Sequence, residues 1–142
     1  LPLLVKAIAP MLGIKRMTGF AHFDMISAVA EKNQKRAMQL YDDLVALKEP
    51  PMRILYLMIK QFNTLYEVRD LAVKGYPASA IAEKTAIRDF IVKRNISLGR
   101  HFEIAALREA VAYGTELEEE IKTGRITDRL AVELMIQKYS RA

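Results

Sequence analysis

The sequence predicts an all-α protein, folded as a compact bundle of about six to seven helices. Apolar residues recur at the three- and four-residue spacing of helices along nearly the whole chain, and no segment shows the two-residue alternation of a half-buried strand. Hydrophobic residues make up 51% of the chain and charged residues 27%, a balance typical of globular proteins. With 142 residues, the chain is long enough to bury one sizeable core. We therefore expect a single domain.

The first two helices are predicted from capping and apolar spacing. A helix from about residue 21 to residue 32 carries Phe23, Ile26 and Ala30 on one face. Residues 1–19 are the least readable part, so we leave them unassigned and place the helical domain at residues 20–142. Asn33 is a favourable N-cap for a second helix. The apolar stripe of that helix comprises Ala37, Leu40, Tyr41, Leu44 and Leu47.

A long third helix is predicted between two strong boundary signals. Pro50 and Pro51 separate it from the second helix, because proline is tolerated in a first turn but not in a helix interior. The helix runs from Met52 to about Lys74, and Gly75 stops it. Because it is apolar on most sides, we expect it to lie at the centre of the domain. Its apolar residues are Leu55, Ile59, Phe62, Tyr66 and Leu71, with Leu57, Met58 and Leu65 broadening the surface.

The segment after the long helix is spaced like a helix-turn-helix pair. Two short apolar patterns are separated by a break at Ala86, and the second pattern carries several basic residues. The apolar positions are Ile81 and Ala82 in the first helix, Ile87 just past the turn, and Val92 and Ile96 in the second helix.

Two further helices complete the predicted bundle. The first runs from Phe102 to Lys122, and Gly114 stands at a position where its apolar pattern calls for a larger residue. Glycine in a helix interior costs ~1 kcal/mol relative to alanine, so Gly114 indicates the close approach of a neighbouring helix. Gly124 ends this helix and Thr127 caps the last one.

The helix-turn-helix spacing is compatible with two different functions. A DNA reader lays the second helix in the major groove. The alternative is a compact pair that packs onto the long helix and exposes a solvated basic face. The second interpretation is favoured because base readers usually carry short polar residues at the start of the second helix, whereas this helix begins with bulky side chains. The residues that a base reader would use here are Arg88, Asp89, Lys93 and Arg94.

Charge is divided along the chain into two adjacent fields. The net charge is +5, but residues 84–100 carry five basic residues against one acidic, and residues 103–120 carry six acidic residues against one basic. Opposite fields suit docking between neighbouring subunits as well as contact with nucleic acid. A metal or acid–base site at residues 116–120 is not favoured, because neither His nor a second carboxylate cluster stands at ligand spacing. The candidate residues for subunit contact, or for a position close to DNA, are Arg88, Lys93, Arg94, Arg100, Glu116, Glu119 and Glu120.

The sequence offers little for catalysis, cofactor binding or membrane insertion. It has no cysteine and only two histidines, His22 and His101, neither of which has a nucleophile partner nearby in the sequence. No phosphate-binding loop of the form GxxxxGK[ST] occurs. No apolar run reaches the ~18 residues that a membrane span needs. We expect no enzyme activity, cofactor or metal for this chain, and a cytoplasmic location.

Five short motifs follow one another along the chain. They are KRAMQLYDDL at residues 35–44, EPPMRIL at 49–55, QFNTLYEVRDL at 61–71, KGY at 74–76, and IKTGR at 121–125. Their order, from about Phe20 to the end, resembles the C-terminal domain of the delta subunit of bacterial DNA polymerase III, a component of the clamp loader. The chain departs from that family's pattern at Asn63 and around the turn at Ala86.

The resemblance implies an all-helical collar domain that packs beside the corresponding domains of other clamp-loader subunits to form a ring. The implied partners are subunits of the tau/gamma and delta-prime types. It further implies that the sliding clamp is reached only through N-terminal domains that have no counterpart here, and that DNA is met indirectly through the complex. The delta subunit has no ATPase activity of its own, although its parent complex is the DNA-directed DNA polymerase III holoenzyme. A helix-turn-helix DNA-binding regulator is the alternative.

Overall fold

Seven α-helices form the described part of the protein. The structure, a computed structural model, describes the backbone of residues 14–141 and the side chains of residues 21–141. Residues 14–141 contain no strand, which confirms the predicted all-α bundle. The helices are α1 (Ile14–Ala30), α2 (Gln34–Ala46), α3 (Pro51–Val73), α4 (Ala78–Thr85), α5 (Asp89–Gly99), α6 (Ile104–Lys122) and α7 (Asp128–Tyr139).

The start of α1 differs from the sequence prediction. The helix begins at Ile14, whereas apolar spacing predicted a start near residue 21. Thr18 and Gly19 are weak helix formers, so the sequence signal in this stretch is poor. Residues 1–13 lie outside the described part of the chain, and the division into residues 1–19 and 20–142 stays a prediction.

The predicted caps and glycine stops of the other helices are confirmed by the backbone, although α6 begins at Ile104, two residues after the predicted Phe102. The side-chain oxygens of Asn33 and Thr127 each accept a hydrogen bond from the backbone N–H three residues further on, at 3.2 and 3.1 Å, as N-cap residues do. Gly75 and Gly124 follow α3 and α6 with φ angles of +95° and +79°. These left-handed conformations favour glycine and end both helices.

The long helix α3 is the centre of the bundle, as predicted. Helices α1, α4, α5, α6 and α7 all pack against it. Its most buried positions differ slightly from the predicted stripe, because Met58 and Leu65 are fully buried whereas Tyr66 and Leu71 are only half-buried. The helices that surround α3 bury more of its surface than a single amphipathic stripe covers. The buried side chains of α3 are Ile54, Leu55, Met58, Phe62, Leu65 and Val68.

The main core lies around the first two thirds of α3. Phe62 is at its centre, with ring centroids 5.8 Å from Phe102 and 5.4 Å from Tyr139. Edge and tilted arrangements of this kind are the favourable ones for aromatic pairs. The same core takes buried residues from α1, α2, α6 and α7, including Met25, Tyr41 and other apolar side chains.

A second, small core holds the helix-turn-helix pair onto the C-terminal part of α3. Val68 of α3, Ile81 of α4 and Val92 of α5 are fully buried together. Ile87 and Ile96 pack around them as half-buried residues. The apolar positions that define the helix-turn-helix spacing therefore serve to attach α4 and α5 to the long helix.

The last helix is attached to α6 and α1 by polar contacts. Lys138 Nζ lies 2.5 Å from Glu109 Oε1, and the Tyr139 hydroxyl donates to the other oxygen of that carboxylate. Lys138 Nζ also lies 4.2 Å from the centroid of the Tyr113 ring. Lys32 Nζ donates to the carbonyl of Tyr139 at 3.1 Å. These contacts stabilise the position of α7 at the edge of the main core.

Candidate functional site

The turn of the helix-turn-helix pair is tight and lacks glycine. Ala86 follows α4 with φ 59° and ψ 23°, a left-handed conformation in which an L residue with a side chain is strained. Thr85 supports the turn, since its hydroxyl donates to the Ile81 carbonyl at 2.7 Å and accepts from the Ile87 N–H at 3.4 Å. Arg88 then stands at the N-cap of α5 without a side-chain capping bond. The turn is stabilised by hydrogen bonds between residues that are close in the sequence.

A buried polar contact fixes the rotation of α5 on α3. Asn95, 1% exposed, accepts a hydrogen bond from Gln61 Nε2 at 2.7 Å and donates to the Ile91 carbonyl at 2.8 Å. Because polar groups in a core must find partners, this pair favours one register of α5 over rotated alternatives. With Asn95 turned inward, Lys93 and Arg94 are exposed.

The four basic candidate residues on and next to α5 differ in their contacts with other side chains of the protein. Lys93 Nζ lies 3.0 Å from Asp89 Oδ2 one turn earlier in α5, in an exposed ion pair of the kind that contributes little to stability. Arg94 Cζ lies 4.0 Å from the centroid of the Phe23 ring on α1. Arg88 and Arg100 are exposed, and no carboxylate of the described residues lies within ion-pair distance of either.

A shallow cleft of about 250 Å³ opens between α1 and α5 next to the Arg94–Phe23 contact. Its polar lining combines one guanidinium, one carboxylate, two hydroxyls and one imidazole. The lining residues are Phe23, Ser27, Glu31, Arg94, Ser97 and His101, with Leu98 at the buried side. Sequence reasoning identified Arg94 but missed Phe23, because no local pattern indicates that α1 and α5 lie side by side.

The exposed aromatic side chain of this surface was also missed. Phe90, at the start of α5, is 56% exposed. It stands one helical turn before Lys93 and Arg94, so the three side chains share one face of the helix. An exposed phenylalanine beside cations is typical of interfaces more than of a solvated face. The bulky start of α5 was the available sequence signal, and it was interpreted only as an argument against base reading.

The acidic candidates lie on a different helix. Glu116 and Glu119 are exposed on α6 and Glu120 is half-buried. Their spacing of three and four residues places them on one helical face. Among the described residues, no salt bridge joins this face to the basic residues of α5. The structure thus gathers the basic set on α5 and leaves the acidic set on α6 as a second exposed surface.

A second cleft, of about 560 Å³, lies between α3 and α4. The charged groups at this cleft already contact groups of the same chain. Lys84 Nζ lies 4.7 Å from the centroid of the Tyr76 ring, and Lys74 Nζ lies 2.9 Å from Asp70 Oδ2. Arg108 donates to the Tyr66 hydroxyl at 2.9 Å. This cleft therefore offers fewer unpaired groups than the surface of α5.

The two histidines have contrasting surroundings. His22 on α1 is 6% exposed, and burial lowers the pKa of its imidazole to about 4. His101 is exposed at the end of the cleft between α1 and α5. In the described part of the chain, no three His, Cys, Asp or Glu side chains gather where they could hold a metal ion. No helix among residues 14–141 is both long and apolar enough to cross a membrane.

Comparisons with known proteins agree with this architecture. The family described as "DNA polymerase III delta subunit, C-terminal domain" matches residues 21–139. The DNA polymerase III subunit delta of Bacillus subtilis (strain 168) is 26% identical over 114 residues, which cover 80% of this chain and 33% of that protein.

A solved structure shows the same fold. The Bacillus subtilis DNA clamp loader delta protein superposes with a TM-score of 0.81 at 24% identity, over 86% of this chain and 36% of that one. The chain thus spans about a third of the length of these relatives. Because the family match extends from α1 to α7, the chain belongs to the family of the C-terminal domain of the DNA polymerase III delta subunit.

Proposed function

We propose that this chain acts in DNA replication as the collar domain of a clamp-loader delta subunit, where it joins neighbouring subunits. The family match over residues 21–139 carries the proposal. Its partners would be clamp-loader subunits of the tau/gamma and delta-prime types. Contact with the sliding clamp would run through other domains of the delta subunit, and contact with DNA through the assembled complex.

The surface supports a role in assembly. The helices share one central helix and two cores, so the bundle can present its outer faces in fixed positions. Two of those faces carry opposite charge, one on α5 and the other on α6. In a ring, each subunit needs two different faces for its two neighbours, and complementary charge favours the correct pairing.

The proposed contribution to replication is contact, and the chemistry would belong to other parts of the complex. The titratable side chains of the described residues are engaged in structural contacts, as Glu109 is with Lys138, or are spread over exposed helix faces. The parent complex would be the DNA polymerase III holoenzyme. A cytoplasmic location is part of this proposal, since bacterial replication takes place in the cytoplasm.

A helix-turn-helix DNA-binding regulator is not favoured. The family match includes the helix-turn-helix pair within a larger domain, from residue 21 to residue 139. Phe90 stands at the beginning of α5, where readers of base edges carry short polar side chains. The apolar residues of the pair attach it to α3, which leaves its spacing explained by packing.

Reconstitution of the complex tests the proposed function. The full-length protein that carries these residues would be mixed with tau/gamma and delta-prime subunits of the same organism, and assembly followed by size-exclusion chromatography with light scattering. We expect the unaltered protein to enter the complex and a version without residues 21–139 to stay out. As a control, a version of the protein that keeps residues 21–139 but lacks the other domains should still enter the complex.

Failure of the unaltered protein to enter the complex would contradict the proposal. Fluorescence anisotropy with duplex DNA provides the second measurement. Tight binding to one duplex sequence, by a factor of about 10³ or more over unrelated duplex, would support the regulator instead.

A further inference from the structure

The groove between α1 and α5 is formed by two helices that run in the same direction. Arg94 of α5 lies over Phe23 of α1, and Lys32, which follows α1, lies 5.6 Å from the ring centroid of Phe102, which follows α5. The two contacts occur in the same order along both segments, so the helices are parallel. Both helices pack on α3, which forms their common support. The cleft of about 250 Å³ lies between them on the outer side and is large enough for one or two side chains.

Arg94 is positioned by its contact with the ring of Phe23. A guanidinium stacked on an aromatic ring uses its planar face, which leaves the N–H groups at its edge available for a two-pronged contact with a carboxylate. No side chain or carbonyl of the described residues accepts a hydrogen bond from Arg94 within this structure. Because Phe23 restricts the rotamers of Arg94, binding would lose less side-chain entropy than binding to a mobile arginine.

Lys93 is the neighbouring cation and differs from Arg94 on each of these points. Its ammonium is paired with Asp89 at 3.0 Å and is largely exposed. It has no aromatic contact among the described residues. Lys93 is therefore a matched control, since it has the same charge, sits on the same helix and is adjacent in the sequence.

Charge and apolar contact together indicate the chemistry of the ligand. The cleft lining carries Arg94 beside Phe23 at one end and Glu31 with His101 at the other. Next to the Arg94 end, outside the lining, the first turn of α5 carries the exposed ring of Phe90. A ligand that fits this surface places a carboxylate at the Arg94 end and an apolar side chain against Phe90. A helix can present both, at positions three or four residues apart.

We propose that the groove between α1 and α5 binds a helix of a neighbouring clamp-loader subunit that carries carboxylate side chains, with Arg94, which lies over the ring of Phe23, as the residue that binds a carboxylate. The proposal rests on the proposed function and deepens it by naming the groove, the residue and the chemistry of the partner. It separates Arg94 from Lys93, which the sequence could not do.

Affinity measurements on point variants test the proposal. Binding of the full-length protein to its neighbouring subunits would be measured by biolayer interferometry for Arg94→Ala, Arg94→Lys and the control Lys93→Ala. We expect Arg94→Ala to weaken binding by about tenfold or more, because the carboxylate of the partner loses its hydrogen-bonded cation. Arg94→Lys should restore only part of the loss, because lysine keeps the charge but not the planar pair of donors. Lys93→Ala should change binding by less than about twofold.

Photo-crosslinking identifies what lies over the groove. A photo-reactive phenylalanine analogue at position 90 should crosslink, in the assembled complex, to a segment of a neighbouring subunit that contains Asp or Glu within one helical turn. The same analogue at Leu130, an exposed position on α7, serves as the control and should not crosslink to that segment. Circular dichroism of each variant verifies that the bundle is folded.

The possible results separate this proposal from the proposed function. If the unaltered complex forms but Arg94→Ala binds as tightly as Lys93→Ala, the inference is wrong and the assembly role stands. A crosslink from position 90 to a segment without carboxylates would also overturn the inference. Weaker duplex-DNA binding by Arg94→Ala, without weaker subunit binding, would assign the groove to nucleic-acid phosphate instead. If no complex forms with the unaltered protein, both proposals fall.

Discussion

Gly114 of α6 faces Ile59 of α3 at a distance that leaves no room for a side chain. A Cβ atom built on Gly114 would lie 2.4 Å from Ile59 Cγ1 and 2.9 Å from Ile59 Cδ1. Such distances are far below van der Waals contact, so the glycine allows α6 to pack closely on the central helix. This confirms the close approach that the interrupted apolar pattern predicted.

Replacement of Gly114 by alanine should therefore destabilise the protein, although alanine is the better helix former. The forced shift of Ile59 costs ~1–3 kcal/mol, as overpacking does. The gain in helix propensity is ~1 kcal/mol. We expect a net loss of up to about 2 kcal/mol in the free energy of unfolding, measured by urea denaturation. In the double variant with Ile59→Ala, the loss should be smaller than the sum of the two single losses. A strictly additive pair would show that the two residues do not compete for space.

The buried pair of Asn95 and Gln61 should contribute to stability through hydrogen bonding. Asn95→Ala removes the acceptor of the Gln61 amide and the donor to the Ile91 carbonyl, leaving these groups without those partners. A buried polar group without a partner costs ~1–3 kcal/mol, and we expect a loss in that range by chemical denaturation. Asn63→Ala is the control. Asn63 lies on α3, like Gln61, but its side-chain amide donates to Glu67 on the exposed side of that helix. Equal effects of the two alanine variants would contradict the importance of the buried bond.

The stability of the protein should fall between pH 6.5 and pH 4 because His22 is buried in its neutral form. Burial lowers the pKa of His22 from its ordinary value of 6.5 to about 4. The unfolded chain therefore takes up a proton at this residue before the folded chain does, and stability decreases as the pH falls through this window. With 1.36 kcal/mol per pKa unit, the loss reaches about 3 kcal/mol near pH 4. At pH 7 and above the contribution vanishes, because both states are neutral.

Urea denaturation at several pH values measures this effect. His22→Leu should flatten the dependence between pH 4 and pH 6.5. If His22→Leu shows the same pH dependence as the unaltered protein, another group is responsible.

Glycine at position 86 should stabilise the protein. Ala86 adopts φ 59°, a conformation that costs a residue with a side chain ~1–2 kcal/mol and glycine almost nothing. Part of the gain is offset by the greater freedom of glycine in the unfolded chain. We expect an increase of about 0.5–1 kcal/mol in the free energy of unfolding, followed by thermal and urea denaturation. Ala82→Gly, the same substitution inside α4, should instead decrease it by ~1 kcal/mol. Changes of the same sign in both variants would exclude the backbone explanation.

Local features of the fold were predictable because their signals lie within a few residues. Asn33 and Thr127 cap their helices through bonds to N–H groups three residues away, and a single turn of sequence contains both partners. Gly75 and Gly124 end helices for a reason that depends on the backbone at one position. The apolar spacing of the helix-turn-helix pair likewise predicted the residues that pack on α3.

The weaker predictions concern features that several elements determine together. The full burial of Met58 and Leu65 depends on the neighbours that surround α3, and a single amphipathic stripe does not contain that information. The start of α1 at Ile14 was missed because Thr18 and Gly19 weaken the helical signal. The turn at Ala86 was predicted but its left-handed conformation was not, because the packing of α4 and α5 on α3 holds the residue in it.

The sequence by itself determined the helical class, most helix boundaries and the family, because these depend on local spacing and on the order of short motifs. Only the tertiary structure decided which charged residues are available to a partner. Lys93 and Arg94 are adjacent in the sequence, and both are cations of the same helix. Lys93 forms an exposed ion pair with Asp89 on its own helix, whereas Arg94 lies over Phe23 of a helix that is distant in the sequence. The difference arises because α1 and α5 pack on the same central helix, and that arrangement is a property of the folded chain.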